Sequence, residues 1–419
     1  MAENTSVRNA YMLLFASQIV NIGFGLLAIF ITLLADEINL RPLEIGIVIS
    51  IFAVSRAISA AIVPAISDKT GRRGILIGAL FVYAVSTTLL GFARTFETLL
   101  LLRIVEGAAA GTAFPTAEAL LVDSVSIEER GAWMGKYFTT FSFGFIIGPA
   151  LGGVLFTFGT DFLKLAVLEA FIVPFIFTGF LGLIATIFTI LFVDDVITEE
   201  SVTMGTDNPS DQMVVNTPYM SSFLLVGVLS GFAIGLVIPI FTLYMTDVFA
   251  LDEGTIGFVF TISGSAALLV NYPAGRLSDK INRMSIVIVG MVFAGLGFIG
   301  VAFSTSLIMV IIFFIFRQMA FQAYLPAYRA FQADKIPPMI RGKVMGRIQS
   351  AFNAGLVLGP LLGAVIYEFY AHKSVWFFIK GFTFFGGGVP FLIAGIFGIV
   401  QVFIAIYINK QEREKSLQI

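Results

Sequence analysis

Cysteine is absent from this 419-residue sequence, and histidine occurs only once, as His372. The lack of cysteine excludes disulfides and thiolate metal sites, and a single histidine excludes paired-histidine haem sites and HExxH metal chemistry. No GxxxxGK(S/T) phosphate loop occurs either, so ATP does not drive an activity through this chain. The sequence therefore predicts no metal site and no cofactor, and it offers no constellation of nucleophilic residues for an enzyme.

Charged residues are scarce, at 12% of the sequence against about 25% in soluble globular domains. The net charge of −2 provides no basic surface for nucleic acid, so no nucleic-acid partner is expected. Hydrophobic residues reach 58%, and 45 residues are phenylalanine. A soluble core of this length cannot bury that much apolar side chain, so we expect an integral membrane protein surrounded by the lipid bilayer.

Twelve apolar segments of roughly 20 residues follow one another along the chain, and that is the length a bilayer core requires of a helix. They cover residues 10–34, 43–65, 74–93, 98–122, 134–158, 166–192, 221–246, 254–274, 285–304, 306–331, 347–367 and 381–408. The N-terminal tail is short and polar and the first segment is long enough to span, so no cleavable signal is apparent. We therefore predict an all-α integral membrane protein with twelve transmembrane helices.

The second half of the sequence repeats the first at an offset of 211 residues. Between Asp123 and Gly152, 11 of 30 positions are identical to those 211 residues later. The recurring positions include Ser67-Asp68-Lys69 as Ser278-Asp279-Lys280, Pro115 as Pro326, Asp123 as Asp334, Arg130-Gly131 as Arg341-Gly342 and Gly148-Pro149 as Gly359-Pro360. In an apolar chain, such a period is typical of a transporter built from two helical bundles. We predict two pseudo-symmetric six-helix bundles, 1–192 and 221–419, joined by a linker at 193–220.

The basic residues of the loops and tails lie mostly on one side of the predicted membrane, 16 against 5. By the positive-inside rule, both termini and the linker are cytoplasmic, and we expect a multi-pass protein of the cell (plasma) membrane. The linker holds six acidic residues and no lysine or arginine. Its composition favours a solvated tether, and a binding role for its acidic face is the alternative.

The loop between the second and third segments carries a charged motif, Pro64-Ala-Ile-Ser-Asp68-Lys69-Thr-Gly71-Arg72-Arg73. Its repeat, between the eighth and ninth segments, reads Gly275-Arg-Leu-Ser-Asp279-Lys280-Ile-Asn282-Arg283. Gly71 permits a tight reversal of the chain, and Asn282 at the equivalent position also tolerates left-handed backbone. The pattern resembles Gly-x-x-x-Asp-(Arg/Lys)-x-Gly-Arg-(Arg/Lys), the signature of the major facilitator superfamily, with Pro64 in place of the first glycine. The resemblance covers nearly the whole chain.

The resemblance to that family implies a cytoplasmic gate. In the family, the Asp and Arg of this loop join an acidic residue at the inner end of the fourth helix, and Asp123 matches that position. The expected gate residues are Asp68, Gly71, Arg72, Asp123, Asp279 and Arg283. They would latch the two bundles on the cytoplasmic side, and the alternative is a turn whose charges only enforce topology.

The fourth segment contains two charges that are costly in a bilayer, Arg103 and Glu106. A charge within a span costs about 2.5–3.5 kcal/mol on insertion scales, and a spacing of three places both side chains on one helical face. With Gly107, Arg103 resembles the Arg-x-x-x-Gly motif of many proton-coupled members of the family. A carboxylate beside an arginine can exchange a proton near neutral pH. We therefore assign proton coupling to this pair, with a permanently charged structural pair as the alternative.

Further charges occupy equivalent depths in the two halves, since Arg317 and Arg329 stand at the repeat positions of Glu106 and Glu118. Across a central cavity, this arrangement could bind a charged or zwitterionic solute or form a switchable pair between the bundles. The alternative is pairing inside one bundle, for instance of Arg56 with Glu118. Polar residues of the first and tenth segments would suit the cavity wall, although such residues also join helices. The predicted charge-pair residues are Arg103, Glu106, Glu118 and Arg56, and the predicted cavity residues are Gln18, Asn21, Arg317, Gln318, Gln322, Tyr324 and Tyr328.

The fifth and eleventh segments share a motif of glycines and a proline. Glycines spaced by four permit close helix contact, and proline bends a helix. The motif resembles Gly-x-x-x-Gly-Pro-x-x-Gly-Gly of the family's drug:proton antiporter branch, in which it shapes the interface between bundles, and this favours export. Its occurrence in both halves fits simple duplication equally well. The residues concerned are Gly144, Gly148, Pro149, Gly152, Gly355, Gly359 and Pro360.

These patterns favour a secondary active transporter that works by alternating access and functions as a monomer. The expected activity is proton-coupled efflux of an organic or amphipathic small molecule, so the substrate and protons are the expected partners. Proton-coupled uptake of a sugar, organic acid or similar metabolite is the first alternative. A membrane-embedded enzyme or receptor is an alternative of another class, and the lack of a nucleophile constellation disfavours the enzyme.

Overall fold

The computed structural model describes residues 2–126, 129–194, 219–337, 340–371, 373–376 and 383–416. Twelve helices in this part of the chain are long and apolar enough to cross a membrane, which confirms the predicted all-α, twelve-helix class. We number them α1, Ala2–Glu37; α2, Pro42–Thr70; α3, Arg72–Leu90; α4, Phe96–Asp123; α5, Arg130–Thr157; α6, Ile172–Phe192; α7, Met220–Phe249; α8, Glu253–Lys280; α9, Arg283–Ala302; α10, Leu307–Lys335; α11, Arg341–Tyr370; and α12, Val389–Ser416.

Several helices run beyond the apolar segments that predicted them. α1 begins at Ala2 rather than at residue 10, and α12 ends at Ser416 rather than at residue 408. Only the part of a helix inside the hydrocarbon has to be apolar, because water solvates polar side chains beyond it while the helical backbone remains hydrogen-bonded. An apolar pattern therefore predicts the number of spans better than their ends.

The segment predicted at 381–408 is divided. Ser374–Trp376 pairs antiparallel with Thr383–Phe385, and α12 starts only at Val389, after a short 3-10 turn at Gly386–Gly388. Three successive glycines disfavour a helix, and threonine and phenylalanine favour an extended strand. A π-helical turn at Phe158–Phe162 and a short helix at Val167–Ala170 likewise precede α6.

The two copies of the charged loop reverse the chain in different ways. Gly71 has a φ of 91°, in the region that glycine adopts without strain. Asn282 has a φ of −56°, so the tolerance of asparagine for left-handed backbone is not used at this position. Its side chain instead accepts a 2.9 Å hydrogen bond from the backbone N–H of Met284 and caps α9.

Contacts divide the described residues into two units. The first holds the residues up to 194 together with Leu251–Thr261, and the second holds the residues from 219 to Ala250 and from Ile262 onward. The repeat places 251–261 in the second half, whereas their contacts group them with the first unit. The predicted bounds of the bundles stay a prediction, and residues 195–218 of the predicted linker lie outside the described residues.

Helix pairs in one unit recur in the other. In the first unit, α1 packs on α5 and α6, and α3 packs on α4 and α6. In the second, α7 packs on α11 and α12, and α9 packs on α10 and α12. These are the same pairs six helices later, so the sequence repeat is also a repeat of packing.

Candidate functional site

Arg103 and Glu106 form a buried ion pair on α4, with 2.6 Å between a guanidinium nitrogen and a carboxylate oxygen. Arg103 is 6% exposed and Glu106 is 0% exposed. Two side-chain positions three residues apart on a helix are neighbours, so the helix itself brings these groups together. The second carboxylate oxygen of Glu106 has no hydrogen-bond partner among the described residues, and the role of the pair in proton coupling stays a prediction.

α2 encloses this pair. The Arg103 guanidinium lies 4.0 Å from the ring centroid of Phe52, and its Nε donates a 3.5 Å hydrogen bond to the carbonyl of Val48. A Cβ atom at Gly107 would lie 2.5 Å from the carbonyl oxygen of Phe52, so only glycine allows α2 to approach so closely. The side chain of Arg103 and the absence of a side chain at Gly107 thus both lie in the contact between α2 and α4.

Arg56 lies against aromatic rings, with its guanidinium 5.6 Å from the ring of Phe24 and 5.2 Å from that of Phe114. In the described part of the chain, no ion pair joins Arg56 to Glu118, so the intra-bundle pair considered from sequence is not formed. Cation–π contacts of this kind contribute about 0.5–2 kcal/mol. Glu118 is partly exposed on α4.

Five phenylalanines from α1, α2, α4 and α5 form an aromatic cluster that sequence reasoning missed. The centre is Phe24, whose ring centroid lies 5.5 to 6.2 Å from those of four other rings. The surrounding rings are Phe52, Phe114, Phe141 and Phe145. With 45 phenylalanines in the sequence, residue type alone carries no signal for this cluster. We call these five residues the aromatic cluster.

Of the two predicted cavity residues of α1, Asn21 has a hydrogen-bond partner for its side-chain N–H group and Gln18 has none among the described residues. Asn21 is buried and donates a 3.2 Å hydrogen bond to the hydroxyl of Thr140, so it joins α1 to α5. The Nε2 of Gln18 is buried without a hydrogen-bond partner among the described residues. The helix-joining role that polar residues can play thus applies to Asn21.

The predicted cavity residues of α10 lie in the second unit. Arg317 is buried and donates a hydrogen bond to Gln318, and both Arg317 and Tyr324 line a small cavity. Tyr328 packs against Phe223 in the core of this unit, and Gln322 is partly buried. Their assignment to a substrate cavity stays a prediction.

The predicted gate contains an ion pair in each copy. Arg72 pairs with Asp123 in the first unit, and Arg283 pairs with Asp334 in the second. Asp334 was not among the predicted gate residues, although the repeat of Asp123 as Asp334 could have identified it. The side chains of Asp68 and Asp279 lie outside the described part of the structure.

The glycines of α5 and α11 bring helices together inside each unit. A Cβ atom at Gly148 would lie 2.5 Å from the backbone nitrogen of Leu26 on α1, and one at Gly359 would lie 2.6 Å from that of Leu236 on α7. Gly144 and Gly355 meet the backbones of the same two helices, Gly152 meets the Phe30 ring, and Pro360 contacts Gly235. Glycines spaced by four lie on one face of the helix, and these contacts explain why that face lacks side chains. The role of the motif at the interface between bundles stays a prediction.

The N-terminal end of α8 packs against α5. A Cβ atom at Gly257 would collide with the carbonyl oxygen of Pro149, and one at Gly254 would lie 2.9 Å from the hydroxyl of Thr157. Asp252 caps the helix, because its carboxylate accepts a 2.9 Å hydrogen bond from the Thr255 N–H and a 2.6 Å bond from the Thr255 hydroxyl. Partial burial acts to raise the pKa of Asp252, but these hydrogen bonds outweigh it and hold the pKa below its usual value.

Comparison with known protein families identifies this arrangement. The family model described as Major Facilitator Superfamily matches residues 13–215 and 223–418. The chain belongs to the Major Facilitator Superfamily. It is therefore a multi-pass membrane protein and a secondary active transporter of small molecules that works by alternating access, rather than an enzyme.

Individual members of the superfamily are similar to the chain over most of its length. It is 27% identical over 398 residues to "Multidrug resistance protein MdtG" of Proteus mirabilis (strain HI4320), covering 91% of this chain and 94% of that protein. It is 22% identical over 414 residues to "Quinolone resistance protein NorA" of Staphylococcus aureus, covering 97% of this chain and 98% of that protein.

A solved structure of a transporter homologue shares the fold. The chain matches a bacterial homologue of the human lysosomal transporter Spinster, in an inward-facing and occupied conformation, with a TM-score of 0.78. The match covers 96% of each chain at 15% sequence identity.

Proposed function

We propose that this superfamily member exports an organic or amphipathic small molecule in exchange for protons. Phe52 carries the proposal, because it belongs to the aromatic cluster and also stacks on Arg103 of the buried ion pair. An apolar organic molecule that displaces these rings would move the group that holds Arg103 in place. The relatives named as multidrug and quinolone resistance proteins support the same class of substrate.

The aromatic cluster has the chemistry of a binding surface for such a molecule. Drug-sized ligands bind to predominantly hydrophobic and aromatic surfaces with a few polar groups that set orientation. Phe145 is 36% exposed in the cluster, and Arg56 places a positive charge beside the rings of Phe24 and Phe114. Stacking on the rings, with Arg56 and Glu118 as the charged groups nearby, would accept amphipathic substrates of varied shape.

Glu106 is the proposed proton carrier. A proton on its free oxygen would neutralise the carboxylate and leave Arg103 as an uncompensated charge inside a span, which is costly. Arg103 would then change partners, and its contacts with Val48 and Phe52 would change with it. Protonation is in this way coupled to the packing of α2 on α4.

We propose further that the transporter acts as a monomer in the plasma membrane with both termini in the cytoplasm. The distribution of basic residues, 16 against 5, supports this orientation. The ion pairs Arg72–Asp123 and Arg283–Asp334 would then lie at the cytoplasmic ends of their helices. There they are suited to the proposed gate, which opens and closes during alternating access.

Purified protein in proteoliposomes tests the proposed export. Cationic, anionic and neutral organic solutes are added one at a time, and proton movement is recorded with a pH-sensitive dye trapped in the vesicles. We expect an aromatic amphipathic solute to move protons in the direction opposite to its own flux. Proton movement in the same direction as a sugar or organic acid would instead establish uptake, and no proton movement with any solute would refute coupling.

A further inference from the structure

A small cavity lies inside the second unit beside Arg317. Its volume is about 30 Å³, and helices α7, α9, α10 and α12 line it. The polar residues on its wall are Ser230, Arg317, Tyr324 and Gln401. Ser230 donates a 2.7 Å hydrogen bond to the side-chain oxygen of Gln401, so these two residues are already oriented.

Arg317 brings a positive charge into this cavity without a counter-charge from the part of the chain that the structure describes. It is 7% exposed, and its Nε has no hydrogen-bond partner among the described residues. Its hydrogen bond goes to Gln318, which is neutral, and no described carboxylate forms an ion pair with it. An arginine keeps its proton under all physiological conditions, so the charge cannot be removed by deprotonation.

Three aromatic rings surround the guanidinium of Arg317. The ring centroids of Phe298, Phe314 and Phe321 lie 4.6, 5.7 and 5.7 Å from its central carbon. Such contacts contribute about 0.5–2 kcal/mol, whereas a charge in a span costs about 2.5–3.5 kcal/mol or more. The rings reduce the cost of burying this charge and leave N–H donors available for a further partner.

The repeat explains why this site exists in the second unit and not in the first. At the offset of 211 residues, Glu106 corresponds to Arg317 and Arg103 to Phe314. The first unit therefore has a pair of opposite charges where the second has a single cation. Tyr83, which is fully buried in the first unit, corresponds to Ala294, which lines the cavity. The second unit thus lacks both the counter-charge and a ring that fills the equivalent space.

We propose that this cavity binds a small monovalent anion, of the size of chloride or formate. The volume of about 30 Å³ is the space open to the centre of a water-sized sphere. One water needs about 10–15 Å³ of such space, so the cavity admits roughly two particles of that size. Arg317 supplies the positive charge and an unused N–H donor at Nε, and the amide N–H groups of Gln401, whose oxygen accepts from Ser230, supply further donors. The anion is a resident counter-ion that stabilises the second unit, and it is distinct from the exported solute.

Thermal unfolding of the purified full-length protein in lipid nanodiscs tests this proposal without a transport assay. Sodium chloride or sodium formate replaces sodium gluconate at constant ionic strength, because gluconate is too large for the cavity. A ligand at 100 times its Kd shifts the ratio of folded to unfolded protein about a hundredfold, so the midpoint should rise and then saturate with chloride or formate. Equal midpoints in all three salts would refute the site.

Two variants test whether the stabilisation by chloride arises in the cavity beside Arg317. Arg317→Gln removes the charge, and Ala294→Tyr fills the cavity with the side chain of the first unit while keeping the arginine. Both should abolish the dependence on chloride, whereas Arg56→Gln, which removes another span arginine near aromatic rings, should retain it. Should Arg317→Gln fail to fold, Ala294→Tyr decides alone. Chloride dependence that persists in Ala294→Tyr would place the anion elsewhere and overturn the proposal.

Discussion

The hydroxyl of Thr261 donates a 2.8 Å hydrogen bond to the backbone carbonyl of Ile146, 115 residues earlier in the chain. The same hydroxyl oxygen accepts a 3.0 Å hydrogen bond from the backbone N–H of Ala150. In an uninterrupted α-helix, a carbonyl and the N–H four residues later pair with each other. A side chain from α8 therefore bridges one step of the hydrogen-bond ladder of α5, directly beside Pro149.

Replacement of Thr261 should reveal what this bridge contributes. Thr261→Val keeps the shape but leaves two backbone groups of α5 without the hydroxyl, and a buried group without its partner costs about 1–3 kcal/mol. We expect a lower unfolding temperature and slower transport. Thr261→Ser keeps the hydroxyl and should resemble the wild type in both measurements. An unchanged unfolding temperature in Thr261→Val would mean that α5 needs no support at Pro149.

Glu106→Gln should uncouple transport from the proton gradient. The amide is nearly isosteric with the carboxylate but cannot carry the proton, so downhill flux should persist while uphill accumulation is lost. At equilibrium, a gradient of one pH unit drives about tenfold accumulation per exchanged proton, and the ratio should fall to about one in the variant. Glu118→Gln is the matched control on the same helix. Full accumulation in Glu106→Gln, with loss in Glu118→Gln, would assign the proton to Glu118 instead. If both variants accumulate fully, Asp36 near the C-terminal end of α1 is the next candidate.

Phe52→Leu should weaken the link between substrate and proton. It removes a contact of about 0.5–2 kcal/mol from Arg103 as well as one ring from the aromatic cluster. We expect both weaker substrate binding and fewer protons moved per substrate. Phe141→Leu removes another ring of the cluster and should lower affinity alone. The measurement is the ratio of proton flux to substrate flux, and equal ratios in the two variants would disprove a special role for Phe52.

Asp123→Asn should shift the proposed gate toward the inward-open state and slow transport. The side chains of Arg72 and Asp123 are mostly buried, and the amide can still accept a hydrogen bond. The loss in stability should therefore be about 1 kcal/mol, the difference between a charge-assisted and a neutral hydrogen bond. Spin labels at Ser126→Cys and Ile281→Cys, in a chain without native cysteine, can report the distance on the proposed cytoplasmic side. Asp334→Asn tests the equivalent pair of the second unit. If Asp123→Asn gives the same distance distribution as the labelled parent protein, the pair of Arg72 and Asp123 does not act as a gate.

Single cysteines can also test the orientation in the membrane. Ser126→Cys follows α4 and Thr305→Cys precedes α10, and both positions are exposed. With both termini in the cytoplasm, a membrane-impermeant thiol reagent should label Thr305→Cys, but not Ser126→Cys, in intact cells. The reverse pattern would invert the proposed topology.

The contact between Arg103 and Glu106 could be predicted because a helix alone brings positions three apart onto one face. The ion pair of Arg72 and Asp123 could also be predicted, because the sequence resembles a family in which the equivalent residues meet. The role of Asn282 could not be chosen from the sequence, because asparagine both tolerates left-handed backbone and has a side chain that can cap a helix, and the structure shows the cap.

The number of spans and the two-fold repeat follow from the sequence by itself, since hydrocarbon demands apolar segments of fixed length and duplicated segments pack in equivalent ways. The aromatic cluster, the bridge between Thr261 and Ile146 and the cavity beside Arg317 were decided only by tertiary structure. Each depends on how a helix is rotated about its axis and how far it slides along its neighbour. Nearly every face of these helices is apolar, so the sequence pattern leaves that rotation open. Close contacts limit it, at Gly107, Gly148 and Gly257 in the first unit and at Gly290 and Gly297, beside Tyr324 and Arg317, in the second.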